Sequence, residues 1–182
     1  MKKRGFSLIE LLVVISIIGI LLSILVLSYN EARKRSRDKV RKTDLKELQL
    51  AIELYKSQNG RYPTEGCSII PPQWAGSESS YTGHSSVTPC VGDYVQGLVP
   101  DYIAALPSEP SSNKTAKGYA YRTTIDGSSY KLIAHHNVES QLISGYGDDF
   151  ARYSSSNSPC PSTYPASEKD IYSVYSRGAE CW

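Results

Sequence analysis

The sequence predicts an α+β fold, in which one long N-terminal α-helix packs on a small antiparallel β-sheet head. Three observations lead to this prediction. A short basic leader is followed by 20 uncharged residues, from Leu11 to Asn30. Helix-forming residues then continue to residue 58, with no Gly or Pro after residue 30. Further on, Asp126-Gly127 joins two alternating polar and apolar segments, which is typical of a β-hairpin.

The chain divides into four parts: a leader (1–5), a transmembrane or filament-core helix (6–30), a polar and then amphipathic helix (31–58), and a globular head (59–182). The uncharged segment is about as long as a helix that spans a ~30 Å hydrocarbon core. A secretory signal has a shorter apolar core that ends at small residues. Large side chains follow Ile24 here, so we predict a membrane-spanning segment.

Glu10 is the single carboxylate among the first 30 residues. An acid at the membrane centre costs about 2.5–3.5 kcal/mol and usually has a partner. One interpretation is that Glu10 lies close enough to the cytoplasmic edge to reach water. The other comes from its context, because Gly5-Phe6-Ser-Leu-Ile-Glu10 closely resembles the processing site of type IV prepilins and of type II secretion pseudopilins.

This resemblance implies that a membrane prepilin peptidase cuts between Gly5 and Phe6 and that Phe6 is N-methylated. It also implies that Glu10 pairs with the terminal amine of Phe6 in a neighbouring subunit. The chain would then form a homo-oligomeric filament on an inner-membrane assembly platform. A buried pair of this kind sets the register of an assembly more than it stabilises one.

The formal net charge of +2 becomes −1 when Lys2, Lys3 and Arg4 are removed, so bulk charge indicates no nucleic-acid partner. Residues 31–42 nevertheless carry seven basic and two acidic side chains. We interpret them as a solvated helix face that meets charges on adjacent subunits, with anionic membrane lipid or DNA as alternative partners. No aromatic residue separates the arginines, so base stacking has no support.

Two observations conflict on membrane orientation. Positive charges counted alone place the distal side in the cytoplasm. However, all four cysteines follow the membrane segment, which favours an oxidising compartment for the head. The resemblance also implies a cytoplasmic leader. We therefore expect a single-pass protein of the bacterial cytoplasmic membrane with a cytoplasmic N-terminus, whose head becomes part of a periplasmic or cell-surface filament.

The four cysteines contain no CxxC pair, and they allow three disulfide connectivities. We expect pairing between sequence neighbours, Cys67 with Cys90 and Cys160 with Cys181. The second pair would enclose a C-terminal loop that resembles the disulfide-bounded surface loop of many pilins.

The second half of the helix carries an apolar stripe at helical spacing, which should pack on the head. The polar section before it has almost no apolar face and is expected to project as a bare stalk, with i,i+4 ion pairs. Asn59-Gly60 should end the helix, and the Asn-Gly-Arg-Tyr-Pro turn resembles that of major pseudopilins. The stripe is Leu45, Leu48, Ala51, Ile52 and Tyr55, and the ion pairs are Glu31–Arg35, Lys34–Asp38 and Asp38–Lys42.

In the head, three strands are predicted at residues 119–124, 130–135 and 171–175. Residues 65–93 read as a long loop, and residues 98–106 as a short helix between two prolines. Gly145-Tyr-Gly-Asp148-Asp149 pairs two acids in a glycine-rich loop. Major pseudopilins bind calcium in a C-terminal loop, so the resemblance implies calcium as a cofactor, with Asp148 and Asp149 as candidate ligands.

The sequence contains no nucleophile–base pair, phosphate-cradling loop or closed metal cluster, so we do not expect an enzyme. The leading hypothesis is a structural subunit of a type IV pilus-like filament, either a pilin or a type II secretion pseudopilin. One alternative is a DNA- or surface-binding adhesion or competence pilin. Another is an unprocessed, signal-anchored membrane protein. The Asn-Gly-Arg-Tyr-Pro turn favours the pseudopilin, and the cysteine-bounded loop favours the pilin.

Overall fold

The structure, a computed structural model, describes residues 7–66, 74–78, 87–90, 92–111, 118–135, 137–140, 142–145, 147–152 and 169–180. One helix, α1 (Leu8–Asn59), precedes the strands β1 (Trp74–Gly76), β2 (Val87–Pro89), β3 (Gly118–Thr123), β4 (Tyr130–His135) and β5 (Tyr172–Tyr175). The sheet order is β2-β1-β3-β4-β5. The pairs β1–β3, β3–β4 and β4–β5 are antiparallel, whereas β2 runs parallel to β1. The predicted α+β fold is confirmed, with a parallel edge strand added.

Helix α1 has 52 residues, which corresponds to about 78 Å at 1.5 Å per residue. Gly60 ends it in the left-handed conformation (φ 76°), and the Gly60 amide donates a hydrogen bond to the Lys56 carbonyl at 2.8 Å. Glycine adopts this conformation without steric cost, so the predicted helix end is confirmed. The helix also continues unbroken from the apolar segment into the polar one.

The apolar stripe of α1 packs on the sheet as predicted. Leu45, Leu48 and Ile52 are fully buried, and they belong to one core cluster with Tyr119 and Leu132 of the sheet. Burial of a leucine or isoleucine side chain contributes about 1.5–3 kcal/mol, so this stripe is a main source of helix–head stability.

Strands β3 and β4 form the predicted hairpin, with Thr123 opposite Tyr130 and a turn at Gly127 (φ 66°). The Gly127 amide closes the turn on the Thr124 carbonyl at 2.9 Å. The other face of the sheet is also covered. It holds a second buried cluster of Trp74, Ala120, Ile133 and Ile171.

Two predictions for the head are wrong. The predicted loop 65–93 contains β1 and β2, which extend the sheet past β3. Residues 98–106 form turns instead of a helix. The Tyr102 amide bonds to the Leu98 carbonyl, as in a helix, but the Ile103 amide bonds to the same carbonyl instead of to that of Val99, so the helical pattern does not continue. At Gly66 the backbone passes very close to that of Asp93. A Cβ at this position would lie 1.5 Å from the Asp93 carbonyl oxygen, so the close approach requires glycine.

Candidate functional site

The first part of α1 is an apolar rod that the head does not cover. Large side chains between residues 8 and 22 are 47–81% exposed, and they lie on every side of the helix. By length and composition, α1 is long and apolar enough to cross a membrane. Exposed apolar surface on this scale indicates contact with lipid or with other protein chains.

Glu10 lies in the first turn of this rod. Its Oε2 accepts a hydrogen bond from the Ser7 amide at 2.7 Å, and Ser7 in turn caps the N-terminus of α1. A carboxylate at this end of a helix also interacts favourably with the helix dipole. Gly5 and Phe6 lie outside the described residues, so their cleavage and methylation, and the pairing of Glu10 with the Phe6 amine, remain predictions.

The hydroxyls on the apolar rod are bonded to the helix itself. Ser16 donates to the Leu12 carbonyl at 2.6 Å, and Ser23 donates to the Ile20 carbonyl at 2.7 Å. Both hydroxyls therefore enter an apolar environment with their donors satisfied. This leaves Glu10 as the charged group of the rod, near its beginning.

Where α1 meets the head, five charged residues form a junction network. Arg41 is fully buried and donates to carboxylates on three sides. Its Nη1 lies 2.7 Å from Asp38 Oδ1, its Nη2 lies 2.7 Å from Glu139 Oε1, and its Nε lies 3.2 Å from Glu109 Oε1. Arg37 completes the network, with its Nε 2.9 Å from Glu139 Oε1. The planar guanidinium suits such multidentate contacts, so the junction network clamps the helix to two separate head segments.

The carboxylates of the junction network also bind head groups around them. Asp38 Oδ2 accepts from the amide and the hydroxyl of Ser140, at 2.7 and 2.6 Å. Glu109 accepts from the Ser111 amide at 3.0 Å and from the Asn137 side chain. Buried charges that are paired and hydrogen-bonded in this way are costly to disrupt from one side.

These contacts favour the charged forms of Arg41 and Glu139. Burial alone lowers the pKa of the Arg41 guanidinium, but the hydrogen bonds from Arg41 to Glu109 and Glu139 outweigh burial, so the net pKa is raised above its usual value. The pKa of Glu139 falls from 4.5 to about 2, chiefly because Arg37 donates to it and also because Arg41 does. The ion pairs that Glu139 makes with Arg37 and Arg41 therefore persist well into the acid range.

The junction network corrects the prediction of a bare polar stalk. Asp38 and Arg41 are buried against the head, so contact begins about two turns before the apolar stripe. Asp38 pairs with Arg41 instead of with Lys34 or Lys42 as predicted, whereas the Glu31–Arg35 pair is present at 3.6 Å. Apolar periodicity cannot reveal a contact made by charged side chains. No pattern at residues 37–41 distinguishes Arg41 from the exposed cations beside it.

Asp148 and Asp149, the weak calcium candidates, lie beside the helix near Lys42. Asp148 Oδ2 accepts from the Ser144 amide at 2.5 Å and from its hydroxyl at 3.0 Å, and these bonds lower the pKa of Asp148. Asp149 is exposed. Within the described ranges, no group of three or more His, Cys, Asp or Glu side chains is arranged to hold a metal ion. Calcium binding therefore remains a prediction that Asp148 and Asp149 alone do not support.

Of the predicted disulfide cysteines, only Cys90 belongs to the described residues. It is fully buried in the main core cluster and is not a free thiol. Cys67, Cys160 and Cys181 lie outside the described residues, so the expected pairing remains a prediction.

Comparison with known proteins agrees with the motif at the N-terminus. The family model described as the prokaryotic N-terminal methylation motif matches residues 1–26. The chain is 34% identical over 110 residues to the type II secretion system core protein G of Klebsiella pneumoniae, and this alignment covers 60% of this chain and 69% of that protein. The Escherichia coli (strain K12) protein of the same name is 30% identical over 112 residues, covering 62% and 69%.

A surface pilin is also similar over a shorter stretch. The type IV major pilin protein PilA of Myxococcus xanthus (strain DK1622) is 41% identical over 61 residues, covering 34% of this chain and 28% of that protein. The matches to protein G are longer than α1, so they include residues of the head. No solved structure matches the chain.

Proposed function

The chain belongs to the type IV pilin-like family that includes the major pseudopilin of type II secretion, and from this premise we propose that it is a filament subunit processed between Gly5 and Phe6. In this proposal a prepilin peptidase removes residues 1–5, and Phe6 becomes N-methylated. The mature subunit enters a homo-oligomeric filament through residues 6–30, with an inner-membrane assembly platform as its partner.

The observation that carries the proposal is the exposed apolar half of α1. Its large side chains are 47–81% exposed between residues 8 and 22, whereas the stripe at Leu45 and Leu48 is fully buried. Exposed apolar surface costs about 25 cal/mol per Å², so a membrane core or neighbouring copies must cover this half of the helix. The rod therefore serves as a membrane anchor before assembly and as a filament core after it.

We further propose that the filament is a type II secretion pseudopilus. The longer similarity to protein G supports this assignment, because it extends into the head. The N-terminus would then be cytoplasmic and the head periplasmic. We assign the chain a structural and not a catalytic role, since the relatives that it matches are pilin and pseudopilin subunits.

The test is intact mass measurement with N-terminal peptide mapping, applied both to filaments sheared from cells and to protein left in membranes. We expect the loss of residues 1–5 and one added methyl group on Phe6. Methylated Phe6 confined to the membrane fraction supports a short pseudopilus, and methylated Phe6 in sheared filaments favours a surface pilus. Residues 1–5 still attached in both fractions would refute the proposal in favour of a signal anchor.

The role of Glu10 is tested by Glu10→Gln, which keeps the shape of the side chain and removes its charge. We expect normal membrane insertion but a large loss of assembled filament, because the Phe6 amine would lack its anion. Glu47→Gln, an exposed position farther along the same helix, is the matched control and should assemble normally. Equal filament yield from both variants would contradict the pairing.

A further inference from the structure

We propose that the exposed cations of α1 just beyond its apolar rod bind the phosphate groups of anionic phospholipids. This proposal rests on the proposed membrane anchoring of residues 6–30. It adds a lipid class for which the anchored subunit is selective, and it assigns that selectivity to particular side chains.

The basic residues at 33–42 differ in their surroundings: two face the head, four are exposed, and Lys42 is half-buried beside Tyr172. Arg37 and Arg41 face the head, where the carboxylates of the junction network engage them. The Arg35 side chain is 70% exposed, and its pair with Glu31 is 3.6 Å long and exposed as well. An exposed pair of this kind is weak, so Arg35 is available to another anion. Three more basic residues are exposed like Arg35: Arg33, Lys34 and Lys39.

Three cations of α1 line one groove beside the head. Arg35, Lys39 and Lys42 are spaced at i, i+4 and i+7, which places them on one face of the helix. The Lys42 ammonium lies 4.7 Å from the centre of the Tyr172 ring, which positions the charge without neutralising it. The lining of the groove is Arg35, Asp38, Lys39, Lys42, Ser140 and Tyr172.

The carboxylate in this groove does not neutralise the cations. Asp38 Oδ1 is engaged by Arg41 and by the Glu139 amide, at 2.7 and 3.1 Å. Asp38 Oδ2 is engaged by the amide and hydroxyl of Ser140. Because both oxygens of Asp38 are directed at these groups, they do not pair with Arg35, Lys39 or Lys42. The groove therefore presents a net cationic surface, which suits a phosphate anion.

The end of the groove at Arg35 lies close to the height of a membrane surface. If the uncharged segment ends at the hydrocarbon boundary, Arg35 stands about 7.5 Å beyond Asn30 and Lys39 about 13.5 Å beyond it. The polar head-group layer is about 5–7 Å thick on each side of a bilayer. Helical side chains point toward the N-terminus, so the long Lys39 side chain is directed back toward that layer.

The neighbouring aromatic residue favours lipid over nucleic acid. Tyr29 is 62% exposed at the end of the uncharged segment, and the Arg33 guanidinium lies 5.5 Å from its ring centre. A tyrosine followed by basic residues is typical of a membrane interface. A ring already covered by an arginine does not offer a free platform for stacked bases.

The test uses the full chain in phosphatidylcholine vesicles that contain trace spin-labelled phosphatidylglycerol or spin-labelled phosphatidylcholine. The fraction of motionally restricted label gives the preference of the protein for the anionic lipid. For wild type at low salt we expect a preference on the order of fivefold, the size expected of one basic residue near an anionic surface. In R35Q/K39Q the preference should fall clearly below that of wild type, although Arg33, Lys34 and Lys42 keep their charges. In wild type, 0.5 M NaCl should abolish the preference because the exposed charges are screened.

R61Q/R177Q is the matched control, because it also removes two exposed positive charges. Arg61 follows the far end of α1, beside Gly127 of the hairpin turn, and Arg177 lies next to Ser129 of the same hairpin. This control should keep the full preference. Equal preference in all three proteins, or none in wild type, would overturn the proposal. So would salt-sensitive binding of wild type to duplex DNA without any phosphatidylglycerol preference, which would favour a nucleic-acid partner.

Flotation with pure phosphatidylcholine vesicles separates this proposal from the proposed function. A chain that floats after a urea wash but shows no lipid preference refutes the lipid site alone. A chain that does not float refutes the membrane anchoring, and the lipid site with it.

Discussion

Replacement of Arg41 by methionine tests the claim that the junction network holds the helix to the head. The side chains of Arg41 and Glu109 are fully buried, and that of Glu139 is 15% exposed. Methionine is unbranched and can fill the space of the arginine stem, so the variant removes the charge and its hydrogen bonds with little change in volume. Three carboxylates lose a guanidinium partner.

The loss of unfolding free energy in Arg41→Met depends on which hydrogen-bond and ion-pair partners each carboxylate keeps. Asp38 keeps the Ser140 amide and hydroxyl, and Glu139 keeps Arg37. Glu109 is affected most, because among the described cations only Arg41 pairs with it. Removal of one partner from a buried ion pair costs about 3–5 kcal/mol. We expect the lower half of that range, about 3–4 kcal/mol of unfolding free energy.

The assay is urea unfolding of the full chain in detergent micelles at pH 7, followed by near-ultraviolet circular dichroism of its 14 tyrosines. The free energy of unfolding is obtained by linear extrapolation. Arg35→Met is the matched control, since Arg35 lies on the same helix with a 70% exposed side chain. Its change should stay within about 0.5 kcal/mol. A loss in Arg41→Met no larger than that of Arg35→Met would refute the structural role of the network.

A double-mutant cycle with Glu109→Gln separates the ion pair from general damage to the junction. If Arg41 and Glu109 interact directly, R41M/E109Q should be more stable than the sum of the two single losses by about 1–3 kcal/mol. Additive losses would show that the destabilisation of Arg41→Met comes from packing and not from the ion pair.

The remaining expectations concern pH, a glycine and the core. The pKa of Glu139 drops from 4.5 to about 2 on folding, so its contribution to the free energy of unfolding is complete above pH 4.5. As the pH is lowered toward 2, the free energy of unfolding should fall by about 1–2 kcal/mol, after allowance for the partial exposure of Glu139. Gly66→Ala should lower the urea midpoint strongly, since its Cβ would lie 1.5 Å from the Asp93 carbonyl oxygen; an unchanged midpoint would contradict this backbone approach. Leu48→Ala should cost about 2–5 kcal/mol in the same assay, whereas Leu50→Ala, at 72% exposure, should cost under about 0.5 kcal/mol.

Local sequence patterns were sufficient for the long elements of this protein. The helix could be predicted to its last turn because apolar spacing, helix propensity and the Asn59-Gly60 stop signal all act over a few neighbouring residues. The β3–β4 hairpin could be predicted for the same reason, from Asp126-Gly127 between alternating strands. The exposed rod and its carboxylate at Glu10 were likewise readable from composition alone.

Short elements were beyond the sequence patterns. Strands β1 and β2 have three residues each, too few for an alternating pattern to stand out from a loop. Their place in the sheet depends on β3, whose residues are about 30–50 positions further along the chain. Pairing at that distance is decided by the folded chain and not by the local segment.

By itself, then, the sequence determined the helix, its apolar half and the hairpin, because each of them rests on interactions between near neighbours. The tertiary structure alone decided which charges of α1 are buried and which remain exposed. Arg41 meets Glu109 and Glu139 across 68 and 98 positions of sequence, and no periodic pattern marks such a meeting. Arg35 and Lys39 look the same in the sequence but stay in solvent, because the helix turns the two sets of cations toward different surroundings.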